Sequence, residues 1–174
     1  MQQVMPAVFA KGFEDTFLYR YNVLISLNEV GCNPVKFGLT VEEFHHANKE
    51  RFEKYPHSII ISSTHDTKRS LDVRMRIAVL SEIPDQWELA VNNWRKINSA
   101  FIDKNIEYFF YQTMIGFWPC EAVSDKEKKQ LKNRLKNNIL KAAKESKEYT
   151  NWVNCNYDYE NRLINFVDNV IDQD

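Results

Sequence analysis

Residues 58–64 read SIIISST, and residues 65–69 continue HDTKR. Three consecutive isoleucines in so short a run suit a strand buried on both faces, as in a parallel sheet. Such a strand carries unpaired N–H and C=O groups on both edges and must have neighbours to satisfy them. No other stretch of the chain reads convincingly as a strand. The pattern therefore predicts either a piece of a larger α/β protein or a subunit that docks onto one. The alternative is that Ile59–Ile61 belong to a buried helix or an extended core segment, an ambiguity shared by all short apolar runs.

Outward from this run the periodicity is helical. Phe13, Phe17, Leu18, Tyr21, Leu24 and Ile25 recur at helical spacing and predict a first helix ending near Ser26. Gly31, Asn33, Pro34 and Gly38 mark Asn28–Gly38 as a loop. Thr40 and Glu43 form a capping-box pattern that opens a second helix, which stops before Pro56. After Ser70, Val73, Ile77 and Leu80 share one face up to Pro84. Trp87, Val91, Trp94, Ile97 and Phe101 mark the next helix, and Asn105–Ile115 is an aromatic-rich one. Ser124 and Glu127 make a second capping box. The helix it opens is basic outside, with Leu131, Leu135, Ile139 and Ala142 inside. Asn156 is placed to cap a last helix burying Tyr159, Leu163, Phe166, Val167 and Val170. The Lys126–Lys136 charge run reads as a solvated helix face.

The bulk numbers exclude several classes. The chain has 174 residues, 44% hydrophobic and 13% aromatic, which is enough for one buried core. A formal net charge of -1 gives no electrostatic reason to expect nucleic acid or an anionic membrane as partner. Cys32, Cys120 and Cys155 form no CxxC pair, and adjacent His45 and His46 would point in different directions on a helix. Neither a disulfide framework nor a metal site is expected. No apolar run is long enough to span a membrane and no secretory signal pattern opens the chain, so a reduced cytoplasmic setting is the expectation.

Three features carry chemistry. The Thr64–Arg69 turn joins the apolar run to a helix, and in parallel α/β folds catalytic groups gather at the C-terminal strand end. There Asp66 would face a developing cation and His65 would donate hydrogen bonds to substrate hydroxyls. The structural alternative is that Asp66 caps the turn and His65 packs. The second feature is AKGFEDT, residues 10–16, where Lys11 suits an oxygen-rich ligand; alternatively Glu14 and Asp15 answer a helix macrodipole. The third is a set of aromatics, Trp118 and Trp152 with Gln112 and Pro119 nearby. They are candidate sugar platforms, or core.

Four stretches, AKGFEDTFLYRYNVLISLNEVG, THDTKRSLDVRMRIAVLSE, YFFYQTMIGFWP and KAAKESKEYTNWVNCNYDYE, cover nearly the whole chain. Together they resemble maltooligosyl trehalose synthases of the alpha-amylase family. The resemblance implies a mainly α chain, a helical fragment of a (β/α)8 (TIM) barrel enzyme with one barrel strand near residues 58–64. It divides the chain into a helical segment before strand seven (1–57), a strand–helix unit of the barrel (58–82) and a helical insertion (83–174). It implies an isomerase that converts the reducing-end α-1,4 linkage of a maltooligosaccharide to α,α-1,1 by retaining intramolecular transglycosylation, without metal or organic cofactor. Asp66 matches the carboxylate that stabilises the oxocarbenium-like transition state, and His65 the histidine that hydrogen-bonds the reacting sugar. Lys68, Arg69, Lys11, Glu14 and Asp15 become shapers of the substrate pocket.

Departures accompany the matches. Leu71 stands where the family tends to have an acid, Cys32-Asn33 where it tends to have Gly-Asp, and Cys155 where proline is usual. Retaining chemistry needs a nucleophile and an acid/base, two carboxylates flanking the bond, and the family draws both from earlier strands. The expectation is a truncated or split gene product, inactive alone and completed by a chain supplying the remaining strands. A different class of reading is a catalytically silent helical module that binds maltooligosaccharide or a partner chain.

Overall fold

A computed structural model describes residues 2–98 and 102–172. It is mainly helical: α1 (Met5–Ala7), α2 (Val41–Lys54), α3 (Leu71–Ala78), α4 (Pro84–Ile97), α5 (Lys104–Phe117), α6 (Asp125–Ser146) and α7 (Tyr157–Asp172). Among the described residues there is no strand, which corrects the strand expected over 58–64. Ile59, Ile60 and Ile61 are 94%, 70% and 64% exposed. The physical reason is the one that made the run informative: a strand exists only against a paired neighbour, and no described segment offers one. The alternatives of a buried helix or core segment fail for the same isoleucines.

The helix expected from Phe13 to Ser26 is also broken. Val8–Glu14 forms a π-helical segment, and Phe17–Tyr19 and Ile25–Leu27 are separate 3₁₀ turns. The four-residue spacing survives as an aromatic stack, Phe9–Phe13–Phe17–Tyr21, with successive ring centroids 5.4, 5.2 and 5.6 Å apart. Local polar side chains divert the backbone from a continuous ladder. Thr16 Oγ1 donates back to the Lys11 carbonyl at 2.7 Å. Asn28 Nδ2 donates to the Leu18 and Tyr21 carbonyls at 2.8 and 2.7 Å.

Both capping boxes form. Thr40 Oγ1 accepts from the Glu43 N–H at 3.1 Å while Glu43 accepts from the Thr40 N–H at 2.8 Å. Ser124 and Glu127 repeat the exchange at 3.4 and 2.9 Å. Asn156 Oδ1 accepts from the Tyr159 N–H at 3.1 Å and so caps α7. Phe101, expected on α4, lies outside the described residues.

The core is built around α5, whose Ile106, Phe109, Phe110 and Tyr111 are all buried. α3 lies against one side of α5 and α6 against another, with α7 on α6. The α6 and α7 axes run antiparallel, because Lys132, Lys136 and Lys144 pair with Asp172, Asp168 and Glu160 in reverse order. Leu135, Ile139 and Ala142 face Leu163, Phe166 and Val167 in the interior. The α3–α5 crossing is close: a Cβ built on Gly116 would stand 2.8 Å from two Ile77 side-chain carbons. α2 is different in kind, for it buries no residue. Phe37, Leu39, Phe44, Phe52 and Tyr55 on and beside it are more than half exposed, as are Ile59–Ile61 further along the chain.

Candidate functional site

The HDTKR turn is closed from its own start. Thr64 Oγ1 accepts the Asp66 N–H at 3.2 Å, and the Thr64 carbonyl accepts the Thr67 hydroxyl at 2.8 Å. Ser63 Oγ accepts the Leu71 N–H at 3.2 Å at the entrance to α3. Capping therefore falls to Thr64 and Ser63. The Asp66 carboxylate accepts no backbone N–H among the described residues, and both His65 and Asp66 are exposed. The turn-cap account of Asp66 and the packing account of His65 both fail.

The next two residues face the other way. Lys68 Nζ reaches Asp15 Oδ1 at 2.8 Å and sits 5.3 Å from the centre of the Tyr19 ring. Lys11 Nζ meets the second oxygen of Asp15 at 2.5 Å. Partial burial pushes the Asp15 carboxyl up, but the Lys11 and Lys68 ammoniums outweigh it and hold the group below its ordinary value. Lys11 is raised, chiefly by its bond to Asp15, with Glu145 and Asp66 adding attraction from further off. The structure thus brings Lys11, Asp15 and Lys68 into one charged cluster, within electrostatic reach of Asp66. Glu14 lies at its margin, where it accepts the Gly31 N–H at 3.4 Å.

Arg69 turns inward. Its guanidinium donates to the Ile25 carbonyl at 3.2 Å and stands 5.5 Å from the centre of the Phe109 ring. Burial lowers it to about 10, still far enough above neutrality to stay charged. Arg69 is a strut that ties the turn to the core.

One acid that the sequence did not single out belongs to this arrangement. Glu29 is 3% exposed, and its carboxylate accepts the N–H groups of Lys68 at 2.6 Å and Arg69 at 3.2 Å. Its one sequence signal is a charge placed between Asn28 and Val30-Gly31 in an otherwise uncharged stretch. The candidate sugar platforms divide. Gln112 is core, accepting the Ile25 N–H at 2.9 Å and donating to the Asn22 carbonyl at 2.8 Å. Trp118 and Pro119 line a groove of about 720 Å³ with Trp94 and Tyr111. Trp152 is 57% exposed, with Lys144 Nζ 5.1 Å from its ring centre. Among the described residues no group of three or more His, Cys, Asp or Glu converges as a metal site, and no helix is long and apolar enough to cross a membrane.

The described residues form a helical body that presents the exposed His65 and Asp66 on a turn near the Lys11–Asp15–Lys68 cluster. Comparison with known proteins gives its kind: along nearly its whole length the chain is similar to a segment of maltooligosyl trehalose synthases. A Mycobacterium tuberculosis protein named as a maltooligosyl trehalose synthase is 40% identical over 172 residues, 99% of this chain and 22% of its own length. The structure of a Sulfolobus tokodaii protein described by the same name superposes with a TM-score of 0.90 at 44% identity, covering 99% of this chain and 23% of that one. The Arthrobacter ramosus maltooligosyltrehalose synthase superposes with a TM-score of 0.78 at 35% identity, over 92% of this chain and 20% of that one. This chain therefore spans about a fifth of the length of the relatives it matches. No family model matches it.

Proposed function

We propose that this chain contributes the transition-state-stabilising carboxylate of a maltooligosyl trehalose synthase, within a (β/α)8 barrel completed by polypeptide outside these residues. The observation that carries the reading is the division of labour in the turn. Thr64, Glu29 and Asp15 hold Thr67, Lys68 and Arg69 and the Asp66 N–H, while the Asp66 carboxylate and the His65 ring are left to solvent. A charge held in place yet unspent on internal partners is what stabilisation of a developing cation requires.

In this reading a maltooligosaccharide binds with its reducing-end linkage over the turn. Two carboxylates supplied from elsewhere in the barrel act as nucleophile and acid/base. Asp66 stabilises positive charge at the anomeric carbon, and His65 donates a hydrogen bond to the sugar undergoing reaction. Lys11, Asp15 and Lys68 border the pocket that holds the released glucose until it is recaptured through its own anomeric oxygen. The exposed apolar side chains between Phe37 and Ile61 meet the rest of the barrel. The test is reconstitution: this chain is mixed with a polypeptide carrying the remainder of the synthase and supplied with maltopentaose. Formation of maltooligosyl trehalose, abolished by Asp66→Asn, is the expected result. A complex that forms but does not turn over would overturn the proposal.

A further inference from the structure

We infer that Glu29 is a positioning residue for Asp66, a role that rests on the reading of Asp66 given above. Glu29 is a buried acid with no lysine or arginine side chain within salt-bridge distance among the described residues. Its oxygens are spent on the main chain instead. Oε1 accepts the N–H groups of Lys68 at 2.6 Å and of Val30 at 2.9 Å, and Oε2 accepts the N–H of Arg69 at 3.2 Å. Two consecutive amides some 39 and 40 residues away in sequence are thus gathered onto one carboxylate. Hydrogen bonds to an ionised acceptor are the stronger kind, and burial strengthens them further.

The consequence lies two residues back along the chain. The turn is fixed at its start by Thr64, which accepts from the Asp66 and Thr67 N–H groups. It is fixed at its end by Glu29. Asp66 lies between these anchors, so the place of its backbone is set without any bond to its own carboxylate. The clamp also explains why a charged acid occupies a buried position. All three groups facing its oxygens are N–H donors, and an amide in its place would set an NH₂ group against one of them. Glu29 touches no reacting atom; it acts through the placement of Asp66.

Backbone amide exchange measured by NMR on the intact chain tests the clamp directly. The Lys68 and Arg69 amides should exchange slowly, and Glu29→Gln should accelerate both by roughly tenfold while α5 amides keep their protection. Fast exchange at both amides in the unaltered chain would show that no clamp exists, even if the variant fails to fold. In the reconstituted synthase, Glu29→Gln should lower kcat on the order of tenfold to a hundredfold and leave KM nearly unchanged, because the loss is one of catalytic geometry. A variant with lowered stability but unaltered kcat, in an enzyme that Asp66→Asn disables, would make Glu29 structural only. If Asp66→Asn itself left kcat intact, the role of Asp66 would fail and the positioning role with it, even with slow exchange at Lys68 and Arg69.

Discussion

Lys68 Nζ lies 2.8 Å from Asp15 Oδ1 and joins two segments that are 53 residues apart in sequence. The Lys68 side chain is 11% exposed and that of Asp15 28%, so the pair is screened less than a surface bridge. Through it the AKGFEDT segment, which has no buried residue of its own in Val8–Glu14, is held against the HDTKR turn.

That tie should be sensitive to acid in a defined direction. The Asp15 carboxyl is held below its ordinary value of 3.8. Its stabilising contribution is therefore fully present above that value and is lost as pH falls through the lower, folded-state value. Asp15→Asn should cost about 1 kcal/mol near neutrality and flatten this part of the pH dependence. Urea midpoints followed from neutral pH downward check it; a variant as pH-sensitive as the unaltered chain would refute the assignment.

The close α3–α5 crossing gives a packing prediction. A Cβ on Gly116 would lie 2.8 Å from Ile77 Cδ1 and Cγ1 and 2.9 Å from Val73 Cγ1. Ile77 is fully buried and has nowhere to retreat. Gly116→Ala gains up to about 1 kcal/mol of helix propensity, but overpacking costs roughly 1–3 kcal/mol. The net expectation is a lowered thermal midpoint, with a larger fall for Gly116→Val. An unchanged or raised midpoint for Gly116→Ala would mean that the crossing is looser than described.

Gln112 replaces a strand or helix partner for the backbone around Ile25. It is wholly buried and satisfies the Ile25 N–H and the Asn22 carbonyl. Gln112→Leu keeps much of the volume and orphans both groups, at about 2–4 kcal/mol in all. Amide exchange at Ile25 should accelerate well beyond that of α6 and α7. Equal acceleration everywhere would indicate global destabilisation rather than a local bracket.

These residues also mark what the sequence could tell. Helices with a periodic apolar face and local caps were legible, because Thr40–Glu43 and Ser124–Glu127 act within one turn and α5 to α7 bury most of what their spacing marks, with Leu131 and Val170 only half-buried. The Phe13–Ser26 reading failed because its helical spacing is real but serves a ring stack, while Thr16 and Asn28 side chains take the carbonyls a helix would use. The 58–64 reading recognised the apolar character and the need for neighbours, yet no described segment supplies one. The turn that carries His65 and Asp66 was legible from the HDTKR motif as an exposed, polar junction. Its support was not, since Glu29 is joined to Lys68 and Arg69 only by the tertiary fold.

Asp66 is expected to matter for rate and not for folding. Its carboxylate is exposed and accepts no described hydrogen bond, so Asp66→Asn should shift unfolding by no more than about 0.5 kcal/mol. In the reconstituted synthase it should lower kcat steeply with KM little changed, since the lost interaction is made in the transition state. His65→Ala should cost less in kcat and more in KM, because a hydrogen bond to the bound sugar acts partly in the ground state. Steady-state kinetics of both variants on one maltooligosaccharide distinguish the roles. Near-normal kcat in Asp66→Asn would remove the carboxylate from the mechanism.

The last expectation concerns the isoleucines. Ile59, Ile60 and Ile61 stand 94%, 70% and 64% exposed, next to a helix with no buried residue. Three large apolar side chains so exposed in one short run are candidates for a contact face. Replacing Ile59 and Ile61 together by serine removes exposed surface only, so the fold of this chain should keep its stability to within about 0.5 kcal/mol per site. Docking of the remaining polypeptide should suffer far more, because each isoleucine fully buried at the contact is worth roughly 1.5–3 kcal/mol. Two such losses correspond to at least a hundredfold in affinity, each 1.4 kcal/mol being tenfold, taken as an order of magnitude. The purified chain alone should turn over no maltopentaose, and the double variant should fail to restore activity at concentrations where the unaltered chain does. Titrating either form against the complementing polypeptide, with trehalose-type product as readout, measures the difference. Equal restoration by both would place the contact elsewhere and leave the exposed isoleucines without a role in assembly.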